Sequence, residues 1–244
     1  MPQGSKGTLE AWNDFGGTLE DVTWASTSVD LGGNVALVSV NEGTINDVTD
    51  ESGGVQGFLS DSGDNDNVAL FAGLFDPSQG SVRMECRFKQ DNVLLGAIYC
   101  GFTETLTKAT PVMPAEFDTA TMTYNGSGGM VGALWDPDAT TNRWKAVSGN
   151  GGAVSNSAVW GANGTDDSDA GDSVNDEFDI IVVEMFSSGY AIVTHDEEII
   201  QQGQTSLTNT DLLHAVLMLE NRSDAARTLE VDYFHAVGPR DWTV

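Results

Sequence analysis

A chain of 244 residues with 37 acidic against 10 basic side chains, a formal net charge of −27, has the wrong sign for naked nucleic acid or an anionic membrane surface, since both are met by lysine and arginine. Its apolar fraction of 40% is ordinary for a globular protein and sufficient for one sizeable core, which argues against disorder as the reason for the charge. No apolar run reaches the roughly 18 residues that a membrane-spanning helix requires, and the opening MPQGSKGTLEAWNDF lacks the apolar stretch of a secretory leader. The acidity fits a salty medium, marine or halophilic, or the outer face of a large particle whose copies repel one another.

Residues 1–30 set isolated large apolar side chains, Trp12, Phe15, Leu19, Val22 and Trp24, among turn formers, a pattern that suits an extended arm or an edge strand. Residues 31–244 read as one domain. Val35–Val40 is a strand, a short one is expected at Val55–Leu59, and Val68–Phe75 is another; Asp61–Asn67 is a loop. Ser81–Lys89 alternates, with Val82, Met84, Cys86 and Phe88 inward and Arg83, Glu85 and Arg87 outward. Leu94–Thr103 returns with Ile98, Cys100 and Phe102 on one face. Phe117–Tyr124, Met130–Trp135 and Arg143–Val147 are three further strands. Phe178–Met185 and Tyr190–Thr194 form a hairpin about Ser187-Ser188-Gly189, and Glu198–Gln202 follows the Asp196-Glu197 turn. Leu212–Leu219 alternates Ala215, Leu217 and Leu219 against His214, Val216 and Met218. In the last strand Leu229, Val231, Tyr233, His235 and Val237 are expected to share the core face. Strands apolar on both faces must be covered on both sides, and no stretch has helical periodicity. The expectation is an all-β, two-sheet antiparallel sandwich of about a dozen strands.

The run ENRSDAARTLEVDYFHAVGPRDW (220–242) resembles the closing strands of concanavalin A-like (LamG-like) jelly-roll domains, in particular those of tailed-virus virion proteins. Glu177–Gln202 is similar to the hairpin preceding them in that group, VRMECRFK and AIYCGFTETL to a strand pair within it, and EAWNDFGG to its opening segment. The resemblance implies a non-enzymatic virion structural protein, a capsid decoration protein on the outside of the head. That protein would be assembled in the host cytoplasm and carried on the capsid surface. Its partners would be the major capsid protein and copies of itself, a homo-oligomer such as a trimer, with no cofactor, nucleic acid or membrane. Trp12, Phe15 and Trp24 would then anchor an N-terminal arm on a neighbouring subunit, since buried aromatics dominate interface energetics. The alternative is a carbohydrate-binding or receptor-binding domain of a fibre or tail.

Four sets of residues carry candidate chemistry. Glycan hydrolases on this fold hold a Glu-x-Asp-x-Glu run on one strand face; Glu177-Phe178-Asp179 begins it, but Ile181 occupies the third position and Glu184 falls on the opposite face. Catalysis is therefore not expected. Asp166, Asp167, Asp169 and Asp172 offer oxygen ligands for calcium without the spacing of a defined loop. His195, His214 and His235 are too far apart in sequence for ligand spacing, and His235 reads as a packed core histidine. Trp135, Trp144 and Trp160 flank loops, where exposed rings would stack on sugars and buried rings would be sandwich core. Three sequons, starting at Asn125, Asn163 and Asn221, mean little without a leader. Cys86 and Cys100 read as buried free thiols on adjacent strands, with a cross-strand bond geometrically open to them.

Overall fold

The computed structural model describes residues 8–15, 22–25, 29–39, 41–48, 54–107, 111–119, 121–125, 128–150, 172–207 and 211–239. Among these are eighteen strands and one short 3-10 turn at Pro77–Gln79. The first half holds β1 (Thr8–Asn13), β2 (Val22–Ala25), β3 (Val29–Gly32), β4 (Val35–Ser39), β5 (Glu42–Asp47), β6 (Gln56–Ser60), β7 (Asn67–Phe75), β8 (Val82–Gln90) and β9 (Gly96–Thr103). The second holds β10 (Ala115–Asp118), β11 (Thr121–Tyr124), β12 (Met130–Trp135), β13 (Lys145–Gly149), β14 (Asp179–Met185), β15 (Tyr190–His195), β16 (Glu198–Gln204), β17 (Leu213–Asn221) and β18 (Thr228–Pro239).

Two antiparallel sheets face each other. The back sheet runs β16-β15-β14-β8-β18-β6-β5-β2, with β1 also paired to β18; the front sheet runs β13-β12-β9-β17-β7-β4-β3. Between them lies the main core. The front sheet contributes Leu37, Leu70, Phe75, Cys100, Phe102 and Leu217, and the back sheet Phe58, Met84, Cys86, Phe88, Ile181, Val183 and Phe234. The alternation read in β8, β9 and β17 holds, and β14 alternates as well, because each strand turns one set of apolar side chains into this layer. The second set of the front sheet, Ala97, Tyr99, Leu134, Val216 and Met218, forms a second core on its outer face under Met113, Phe117 and Met122. The β10–β11 hairpin is the lid of that layer, and it satisfies the requirement that doubly apolar strands be covered twice.

Tyr99 fits flat in the second layer because two glycines face each other beneath it. Gly101 pairs with Gly132 across β9 and β12, and a Cβ on Gly101 would sit 2.4 Å from the Val131 carbonyl oxygen and 2.9 Å from Tyr99 Oη. The Tyr99 hydroxyl donates toward the carbonyls of Phe102 and Val131, at 2.7 and 3.1 Å, and burial raises its pKa well above the ordinary value.

Several expectations are corrected. Phe117–Tyr124 is not one strand: Thr119, at φ 59°, ends β10, and β11 folds back on it in register Ala115↔Tyr124. β5 lies in a stretch for which no strand was expected, and β3 begins within the segment that suited either an arm or an edge strand. β8 and β9 are consecutive but belong to opposite sheets, so Cys86 and Cys100 are not cross-strand neighbours; both are buried and free. The last strand changes face. A bulge between Val231 and Tyr233 shifts its register against β8, so Leu229, Val231, Phe234 and Ala236 point into the core while Tyr233, His235 and Val237 lie outside it. A bulge inserts one unpaired residue and inverts the alternation beyond it, which strict period-2 reading cannot anticipate.

The described residues among 1–30 hold β1, β2 and the start of β3, strands of this chain's own sheets. β1 lies antiparallel on the C-terminal half of β18, in register Thr8↔Pro239. Its outer edge is met by the β3–β4 turn: Trp12 N–H donates to the Gly33 carbonyl at 3.0 Å, and the Asn34 amide donates to Glu10 O at 2.8 Å. Gly33, at φ +60°, comes so close that a Cβ there would stand 1.9 Å from Trp12 O, so the contact admits only glycine.

Candidate functional site

Of the residues singled out in the sequence, Asp179, Trp144 and His195 come together and Trp12 meets His235, while the others lie apart. Phe15 is buried at 4% exposure and packs edge-on against Phe58 at 5.5 Å, so it is a core residue of its own domain and not an anchor for a neighbour. Trp12 is 47% exposed and stacks on Tyr233, ring centroids 5.7 Å apart, with His235 edge-on at 5.1 Å. The side chain of Trp24 and the whole of Trp160 lie outside the described residues, as do Asp166, Asp167 and Asp169. Asp172 is exposed. Trp135 and Trp144 are buried at 1% and 2%, which corrects the sugar-stacking expectation for both. They are core rings because Trp135 Nε1 reaches the Val93 carbonyl at 2.8 Å and Trp144 packs on Phe88, Trp135 and His195. His235 is not a core histidine; it lies on the outer face of the back sheet, 3.6 Å from Glu10 Oε1.

Asp179, the second acid of the broken hydrolase run, points inward at the start of β14. Its Oδ1 lies 2.7 Å from His195 Nε2 and 3.4 Å from Trp144 Nε1, and its Oδ2 accepts from Ser173 Oγ at 2.6 Å. Asp196 Oδ2 lies 3.3 Å from the same His195 nitrogen, so Asp179, His195 and Asp196 bring three ligand-type atoms together. Asp196 Oδ1 also accepts from the Ile180 N–H at 2.9 Å, which fastens the β15–β16 turn to β14. The pair is legible afterwards: Ile181 pairs with His195, so Asp179 is the diagonal neighbour of His195 on one sheet face. With Asp179 fully satisfied at 4% exposure, this is a buried polar network that holds the hairpin ends together.

The second cluster, which the sequence reading missed, surrounds Arg222. This side chain is 5% exposed. Its Nη2 meets Asp136 Oδ2 at 2.9 Å and its Nε meets Asp136 Oδ1 at 3.3 Å, a two-point pairing; its Nη1 meets Glu220 Oε1 at 2.5 Å and lies 3.5 Å from Glu116 Oε2. Asp138 Oδ2 stands 3.7 Å from Nε. Asp136 also accepts the Phe117 N–H at 2.8 Å, tying the lid hairpin to the β12–β13 connection. Glu220 is raised above the usual carboxyl range by burial, with Glu116 adding and Arg222 opposing; Asp138 is raised by burial and by Asp136. The signal was present in the sequence: Arg222 is the first Lys or Arg after Lys145 in a stretch full of acids.

Beside this cluster, on the outer face of the front sheet, opens a pocket of about 340 Å³ lined by Asn65, Asn67, Pro111, Val112, Glu116, Asn125 and Glu220. Glu220 and Asn67 face each other across β17 and β7, while Glu116 comes from the lid hairpin.

No family model matches the chain, and no curated protein matches it. Solved structures do. A protein of unknown function from Shewanella oneidensis MR-1 superposes with a TM-score of 0.56 at 13% identity, covering 98% of this chain and 90% of that one. The carbohydrate recognition domain of Emp46p, in its metal-free form, gives 0.52 at 10% identity over 83% of this chain and 87% of its own. A structure described with endo-acting O-glycanases of the human gut microbiota gives 0.54 at 12% identity over 94% and 98%. The fold is the concanavalin A-like, lectin-type jelly roll. At such identities the likeness speaks for the fold alone, and binders and glycanases share it.

Proposed function

We propose that this chain is a non-enzymatic virion structural protein that decorates the outside of a tailed-virus head. Its partners in this reading are the major capsid protein and copies of itself. The observation that carries it is how the acids are used. Asp179, which a hydrolase of this fold would present in an open cleft, is buried against His195, Trp144 and Ser173. Asp136 and Glu220 are held by Arg222. These acidic side chains serve as structural ties. The resemblance of the closing strands to virion jelly rolls and the net charge of −27 support the same reading, since like-charged particles stay dispersed. The test is the copy number in purified particles, measured by quantitative mass spectrometry. Hundreds of copies per particle are expected of a shell component; a handful would move the protein to a tail or fibre.

A second reading, glycan binding without hydrolysis, is favoured by one observation: a polar pocket on the outer face of the front sheet, in a fold shared with the Emp46p carbohydrate recognition domain. Screening the full chain on a glycan array, with reducing-sugar release assayed in parallel, tests it. Saturable binding without release supports the reading. Release of sugar would overturn the non-enzymatic assignment in both.

A further inference from the structure

The two sheets are not finished alike. The front sheet is covered on both faces, by the back sheet and by the layer under the lid hairpin. Among the described residues the back sheet has a cover on its inner face only. Yet β14 turns Ile181, Val183 and Met185 inward and keeps Ile180 and Val182 half-buried on the other side, and a strand apolar on both faces calls for a second cover. At opposite margins of this outer face stand Trp12 and Ile199, 47% and 49% exposed.

The same face has its charges paired. Arg83, Arg87 and Lys89, three of the ten basic residues of the chain, stand along β8 and meet Glu85, Asp232 and Glu230. A chain with a net charge of −27 repels its own copies, so two copies meet at least cost through a face of this kind.

The register makes the face its own complement. Across β16, β15, β14, β8, β18 and β1, one row reads Gln202, Ile192, Glu184, Arg83, Val237, Glu10, and the row beside it Ile199, Thr194, Val182, Glu85, His235, Trp12. A twofold axis in the plane of the face, along the strands and midway between β14 and β8, exchanges the two ends of each row. It sets Glu184 against Arg83 of the second copy, Ile192 against its Val237 and Ile199 against its Trp12, each contact made twice. Six strands about 4.8 Å apart, over the roughly 23 Å that Arg83–Lys89 spans at about 3.3 Å per residue, cover roughly 650 Å² per copy. The roughly 1,300 Å² of the pair falls within the range of specific interfaces.

We propose that the outer face of the back sheet binds a second copy of this chain, in a twofold pair that covers Trp12 and Ile199 at its margins and joins Glu184 to Arg83 beside its axis. A patch that contacts itself in this way closes at two copies. The inference deepens the part of the reading above that makes copies of this chain its partners. It is tested on the purified chain, so its failure is told apart from that of the virion reading, which copy number in particles decides.

The test is sedimentation equilibrium of the full chain from low to molar salt. A dimer with a Kd on the order of micromolar is expected, as suits the small end of specific interfaces, and it should tighten with salt as the net charge is screened. Glu184→Arg and Arg83→Glu should each weaken it about tenfold or more, because each sets like charges against one another. Mixed one to one, the two reversed chains should restore the dimer, since positions 184 and 83 then carry opposite charges in both contacts. Ile199→Cys and Trp12→Cys, about 24 Å apart within one chain, should be joined by a short bis-maleimide only when the two variants are mixed; Cys86 and Cys100 are buried and do not compete. The proposal is overturned if the chain stays monomeric up to on the order of a hundred micromolar at every salt concentration, or if the dimer survives either charge reversal unchanged. It is also overturned if the two reversed chains, both folded by circular dichroism, restore nothing on mixing, or if the mixed cysteine variants stay unlinked where the parent is dimeric.

Discussion

Replacing Arg222 by methionine isolates what the buried ion cluster does for the fold. The side chain is 5% exposed, and its two-point partner Asp136 is 0% exposed at the side chain; Glu220 is 5% exposed. Methionine fills much of the volume but leaves these carboxylates buried without a counter-ion. Removing one partner of such a pair typically costs about 3–5 kcal/mol, and for a chain of this length that lowers Tm by roughly 6–20 °C. The loss should depend on pH with a definite sign. Burial already raises Glu220, and without Arg222 its folded-state pKa rises further above the unfolded one. The folded state then holds a proton that the unfolded chain releases, so the penalty is complete above the folded pKa and shrinks as pH falls toward the unfolded value. Urea melts of parent and variant at pH 7 and pH 5, compared at equal m-value, read both quantities. A loss below about 1 kcal/mol at pH 7 would place Arg222 among exposed ion pairs and refute the reasoning; a loss growing toward pH 5 would refute the sign. The double variant Arg222→Met, Asp136→Leu should recover part of the loss, because two apolar side chains leave less uncompensated charge.

Gly101→Ala should destabilise by more than the usual effect of a strand substitution, since its Cβ would meet Val131 O at 2.4 Å and Tyr99 Oη at 2.9 Å; a melting temperature within a degree of the parent would contradict that packing. Trp135 and Trp144, buried at 1% and 2%, should emit at short wavelength and resist acrylamide. Trp12→Phe should remove a quenchable component, and quenching lost instead in Trp144→Phe would reverse the assignment. Salt should raise the melting temperature, because a net charge of −27 repels itself and screening relieves it; equal values in low and molar salt would argue otherwise.

Much of the architecture was legible because strands such as β8, β9 and β17 are read by alternation and β14 by its apolar run and the turn after it, and β17's two apolar faces announced a covered sheet on both sides. What stayed hidden has identifiable causes. The bulge near Asp232 carries no residue signal of its own, so Tyr233 and His235 were assigned to the core when they form an outer aromatic group with Trp12. Trp135 at the end of β12 and Trp144 just before β13 flank loops in sequence yet turn inward, because loop proximity says nothing about which way a side chain points. Arg222, Asp136 and Glu116 lie too far apart in sequence for any local pattern to join them; only the front sheet and its lid hairpin bring them within reach of one another.

The position of β18 bears on how the chain is made. That strand lies between β8 and β6 and also carries β1, so the back sheet has its latest-synthesised strand near its middle and one of its earliest beside it. During translation β1, β6 and β8 must leave the ribosome and wait, the edge that each offers to β18 left open, until that strand has followed. Such non-local pairing folds slowly, and waiting strands invite association with other chains. A net charge of −27 works against such association, because like-charged unfinished copies repel one another while those edges are open.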